Sequence, residues 1–201
     1  CIAWDDMVPA SQHGRDCNLI GLLARKKKVF VLFSDAAQVR GLAAQLLEFG
    51  MGQVQMAVGN NLGQTRDGKD GDGAEYISGF APPETYLSYR REGLHAAVLL
   101  YAQAEEFTVT AGIADDAFAR GADAGRPIPM TKEEVRVISL SKLRLREDSI
   151  LFDIGAGTGS VSVEAARLAY RGMVYAFEKN PAAAALIRKN RLWFQTPNVT
   201  V

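Results

Sequence analysis

The stretch from Ile150 to Ala166, ILFDIGAGTGSVSVEAA, crowds three glycines into five positions between an apolar run and a helix-like run. The apolar run MVYAFE follows at residues 173–178 and ends in an acid. Strand, glycine-rich turn, helix, strand and acid is the plan of a nucleotide-binding βαβ unit, whose ligand sits at the carboxyl ends of the strands. Glycines at 155, 157 and 159 carry no Cβ to collide with a ligand. The helix after the turn aims unpaired N–H groups at whatever occupies it.

A dinucleotide fingerprint would put its third small residue at Ser160. Here the third glycine is Gly159, and Asp153 stands two residues before the first, a pattern that favours S-adenosylmethionine over NAD. Glu178, about 20 residues on, can accept hydrogen bonds from both ribose hydroxyls of either cofactor. The candidate cofactor-binding set is therefore Asp153, Gly155, Ala156, Gly157, Thr158, Gly159 and Ser160, with Glu178, Lys179 and Asn180 from the next strand end. Two alternatives stay open. The turn could be purely structural, and Asp153 could hydrogen-bond loop N–H groups instead of the charged methionine end of the cofactor.

Working outward, Asn180 and Pro181 read as the N-cap and first position of a helix to about Trp193, and NVTV opens a third strand. Upstream, Thr131 with Glu134 forms a capping box before apolar residues at Val135, Ile138, Leu140 and Leu143. Nearer the start, KVFVLFSD is a strand, AAQVRGLAAQLLEFG a helix closed by Gly50, and QVQMAVG a strand, which makes another βαβ unit. Residues 60–75 read as a loop and HAAVLLYA as a strand. The Gly, Ala and Asp-rich stretch that follows has few core-forming residues, so the expected organisation is a domain at 1–104, a linker at 105–128 and a second domain at 129–201.

Composition narrows the function. With 23 basic and 23 acidic residues the net charge is zero, which argues against nucleic-acid and anionic-membrane partners. No apolar run reaches the roughly 18 residues of a membrane span. Cys1 and Cys17 make neither a disulfide framework nor a metal site, so no metal and a cytoplasmic setting are expected. The start, CIAWDDMVPASQHGRD, has no initiator Met, as expected of a piece of a longer protein.

The runs PMTKEEVRVISLSKLRL, DIGAGTGSVSVEAA and VYAFEKNPAAAALIRKN resemble the decarboxylating precorrin methyltransferases of cobalamin biosynthesis, the C-terminal half of the bifunctional precorrin-6Y C5,15-methyltransferases. WDDMVPASQHGR, KVFVLFSD and VGNNLG are similar to the later part of their tetrapyrrole methylase domain. The resemblance implies an α/β chain: the C-terminal half of a tetrapyrrole-methylase domain followed by the first part of a Rossmann-like, class I S-adenosylmethionine-dependent methyltransferase. It implies methylation of a precorrin at carbons 5 and 15, decarboxylation of an acetate arm, and a homo-oligomer. The first domain lacks the family's cofactor loop, so residues 1–104 are not expected to methylate alone. The second stops after its third strand.

A tetrapyrrole bristling with carboxylates calls for Lys and Arg. The substrate-side candidates are Thr131, Lys132 and Arg136, with His13 and Arg15 in the first domain. Lys142, Arg144 and Arg146 read as an amphipathic helix end, His95 as structural, and Arg191–Phe194 as core. An NAD-dependent oxidoreductase and an inactive nucleoside-binding fragment are the competing readings.

Overall fold

The computed structural model describes residues 5–14, 17–63, 74–103 and 110–201. The chain divides into two compact units, Cys1–Phe107 and Thr108–Val201.

The first unit contains β1 (Val8–Ser11), α1 (Leu19–Leu23), β2 (Lys28–Phe33), α2 (Ala36–Glu48), β3 (Gln55–Asn60), β4 (Tyr76–Ile77) and β5 (His95–Leu100). Alternation along β2 buries Val29, Val31 and Phe33 in one core with Val39, Leu42, Ala43 and Leu46 of α2. Asp35 caps α2, its carboxylate accepting from Gln38 N–H at 2.9 Å. The sheet order is β1-β2-β5-β3-β4, so the β2-α2-β3 crossover skips one position, which β5 fills antiparallel to both neighbours. The carboxyl ends of β1, β2 and β3 thus share an edge with the start of β5. There His95 is buried, with Nε2 3.2 Å from Asn60 Nδ2 and its ring edge-on to Tyr89. Burial pulls its pKa down, in keeping with a structural histidine.

The second unit opens with a hairpin of β6 (Ala122–Asp123) and β7 (Arg126–Pro127), then runs α3 (Glu133–Leu143), β8 (Ile150–Ile154), α4 (Ser160–Leu168), β9 (Met173–Phe177), α5 (Pro181–Trp193) and β10 (Val199–Thr200). The last three strands form a parallel sheet in the order β10-β9-β8. One face packs on the helices through Ala165, Val174, Ala176, Ile187 and Val199. The other presents Ile150, Phe152, Ile154 and Phe177, each at least 50% exposed, with Phe152 stacked on Tyr175 at 5.3 Å. Parallel sheets are ordinarily covered on both faces; among the described residues only one is.

Three expectations change. The stretch read as a linker packs into the second unit from residue 110 onward: Phe118 is buried against Phe194 at 4.8 Å, and Gly112 N–H donates to Glu164 at 2.6 Å. Backbone groups and one aromatic ring anchor a segment poor in apolar side chains. Helix α3 starts with Lys132, not Thr131, at its N-cap and with no side-chain cap. Its Val135, Ile138 and Leu143 are exposed while Arg136 is fully buried, because Arg136 pairs with buried Glu164, which could not stay charged alone. Trp193, expected in the core, is 74% exposed.

Candidate functional site

The glycine turn is pinned to the end of β9. Gly155 and Ala156 N–H both donate to Phe177 O, at 2.8 and 3.2 Å. Gly157 N–H donates to Glu178 Oε2 and Asn180 N–H to Glu178 Oε1, each at 2.9 Å. These bonds, Asn180 first and then Gly157, hold the Glu178 carboxyl below its ordinary value. A carboxylate oxygen has two lone pairs, so each still has one for a ribose hydroxyl.

The three glycines do different jobs. All have positive φ, at 78°, 56° and 78°, a backbone that glycine adopts without strain. A Cβ on Gly157 would stand 2.5 Å from Pro129 O and one on Gly159 would stand 2.9 Å from Ile187, so these two are small to let the protein pack on itself. A Cβ on Gly155 would meet nothing within 4 Å. Only Gly155 opens outward, where all three had been expected to face a ligand.

Asp153, at the end of β8, accepts from the Ser162 hydroxyl at 2.5 Å through Oδ2. Among the described residues that side-chain bond, and not a loop N–H, is its partner. Ser160 is buried at the first position of α4, and Thr158 is buried with its hydroxyl unpartnered. Lys179 is exposed. Asn180 caps α5, its Oδ1 accepting from Ala182 and Ala183 N–H at 2.8 and 3.3 Å, while its Nδ2 donates to Asp123 Oδ2 at 2.7 Å. The β6–β7 hairpin is thereby tied to the end of β9.

On the substrate side, Arg136 is not available. Its Nε donates to Glu164 at 2.5 Å, its Nη1 to Thr131 O at 2.6 Å and Asp115 at 3.1 Å, and its Nη2 to Ile113 O. Thr131 is half-buried with its carbonyl in that network, and Lys132 is exposed, 3.4 Å from Asp115. His13, in the first unit, is exposed with Nδ1 3.0 Å from Ser34 Oγ. Arg15 lies outside the described residues.

Several supporting residues had no signal in the sequence. Fully buried Asn190 donates to Thr158 O at 2.9 Å and accepts from Ala119 N–H at 2.7 Å, joining the lead-in segment to the glycine turn. Ser162, Asp115 and Glu164 were also missed.

The charged groups discriminate between ligands. Gly155 and Ala156 N–H donate to Phe177 O and Gly157 N–H to Glu178, and carboxylates stand at both strand ends. A pyrophosphate would be repelled by the acids. Ribose hydroxyls and a cationic tail suit the same groups.

Residues 124–201 match the precorrin methyltransferase domain. The chain is 48% identical over 87 residues to the cobalt-precorrin-6B C(15)-methyltransferase (decarboxylating) of Salmonella typhimurium, covering 43% of each. It is 48% identical over 91 residues, 45% of each, to a probable enzyme of the same description from Sulfolobus acidocaldarius. Among solved structures, precorrin-6y C5,15-methyltransferase from Geobacter metallireducens is 45% identical, with 47% of each chain covered and a TM-score of 0.41. The chain thus spans somewhat under half the length of the curated relatives it matches. Among the described residues no helix is long and apolar enough to cross a membrane.

Proposed function

We propose that the second unit is the cofactor-binding part of a decarboxylating precorrin methyltransferase acting in cobalamin biosynthesis, with S-adenosylmethionine as methyl donor and a precorrin as acceptor. The first unit is read as the later part of a tetrapyrrole methylase domain. The observation that carries the reading is the Glu178 carboxylate fastened to Gly157 and Asn180 N–H beside the open side of Gly155, within the stretch that matches the precorrin methyltransferase domain.

When bound, the cofactor supplies a methyl group activated by its sulfonium sulfur. Glu178 would hold the ribose through its remaining lone pairs. Asp153, steadied by Ser162, would attract the positive methionine end. Gly155 lets the backbone come close, and catalysis then rests on positioning the methyl against an electron-rich ring carbon. The curated relatives matched by this region are named for carbon 15 and decarboxylation, so those steps are assigned to the second unit.

The test is methyl transfer from radiolabelled S-adenosylmethionine to a precorrin-6 acceptor, with the product weighed by mass spectrometry. Gain of one methyl with loss of carbon dioxide is expected. Hydride chemistry with NADH under the same conditions, and no labelled product, would overturn the reading.

A further inference from the structure

Three cations converge on one carboxylate in the second unit. Asp115 receives Arg136 Nη1 at Oδ1, 3.1 Å away, and both Lys132 Nζ and Arg120 Nη2 at Oδ2, 3.4 and 3.7 Å away. The charge of Arg136 is already met by Glu164 in the interior. Asp115 is therefore left as the single ion-pair partner of two outward cations among the described residues. Among the described residues neither Arg120 nor Lys132 has a second carboxylate partner. Their side chains are 50% and 68% exposed, against 21% for Asp115, so the cationic heads point outward over a mostly covered acid.

The pair stands near the turn. Pro129 O packs on Gly157, and the three residues from there to Lys132 reach at most about 11 Å. That is within the breadth of a tetrapyrrole carrying carboxylate arms on its rim. Arg120 is set in place by its own segment: Ala119 is fixed on both sides by Asn190, and Phe118 is buried against Phe194.

We propose that Arg120 and Lys132 form a two-cation clamp for a carboxylate arm of the tetrapyrrole, with Asp115 holding the pair in place before substrate arrives. The identity of the ligand rests on the precorrin reading above; the clamp itself rests on two exposed cations sharing one acid. An exchange of Asp115 for, or its sharing with, an incoming carboxylate leaves both cations paired, and Arg120 offers it a fork of N–H donors.

Uroporphyrin III, which carries acetate and propionate arms, is titrated by fluorescence into the whole chain, alongside its uncharged octamethyl ester. S-adenosylhomocysteine is titrated calorimetrically in parallel. Arg120→Gln and Lys132→Gln are each expected to weaken uroporphyrin binding about tenfold, the loss of one charge-assisted contact. Arg120→Lys is expected to recover most of that loss, the ester to bind all variants alike, and Lys142→Gln, at the far end of α3, to change nothing. S-adenosylhomocysteine affinity should not move in the Gln variants. Uroporphyrin binding that is absent, or equal in wild type and both Gln variants, overturns the clamp even where S-adenosylhomocysteine binds. Charge-dependent uroporphyrin binding without any S-adenosylhomocysteine binding keeps the clamp and removes the cofactor reading.

Discussion

Glu164 and Glu178 belong to the same unit and each accepts two backbone N–H bonds, yet their surroundings give them opposite roles. Glu164 is 2% exposed, and Arg136 N–H completes its shell alongside Gly112 and Ile113 N–H. Glu178 is half-buried at a strand end and keeps lone pairs toward solvent. A carboxylate whose partners all come from the protein locks segments together. One whose partners stop short of saturation can hold a ligand as well as a turn.

The sharpest way to break this contrast is Arg136→Ala, which leaves Glu164 buried and unpaired. The expected loss is about 3–5 kcal/mol in urea unfolding. A mild effect would mean that Glu164 is not sealed from water. Next come the glycines: Gly157→Ala combines positive φ with a clash on Pro129 O and is expected to cost about 3 kcal/mol, whereas Gly155→Ala meets only the backbone strain of about 1 kcal/mol. Equal losses in denaturant titrations would show that both face the protein. Asn180→Ala removes the α5 cap and the tie to Asp123, for about 1 kcal/mol. Thermal melts read it.

The smallest effect is the pH response. The folded-state carboxyl of Glu178 is depressed below its ordinary 4.5. Its contribution is therefore present above that value and is lost as pH falls through the lower folded value. Glu178→Gln should flatten this acid limb of the stability profile. An unchanged limb would mean that the N–H bonds to Glu178 are not formed in solution.

What could be read from residues alone was whatever depends on near neighbours in the chain. The positive φ of Gly155, Gly157 and Gly159 and the capping of α5 by Asn180 with Pro181 are set within a turn or two of their own position. Arg136 was misread because its partner Glu164 lies 28 residues away on another helix, and a basic residue at helical spacing looks the same whether it faces water or a buried acid. The packing roles of Gly157 and Gly159 depend on Pro129 and Ile187, contacts that spacing does not encode. The stretch after residue 110 looked like a linker because its anchors are backbone N–H groups, which every residue carries.

The most direct measurement is calorimetric titration of the chain with S-adenosylhomocysteine and, separately, NADH, repeated on Glu178→Ala. Binding of S-adenosylhomocysteine alone, weakened at least about tenfold in Glu178→Ala by loss of the ribose contacts, is the expected result. Preference for NADH, or S-adenosylhomocysteine binding indifferent to Glu178, would contradict the account.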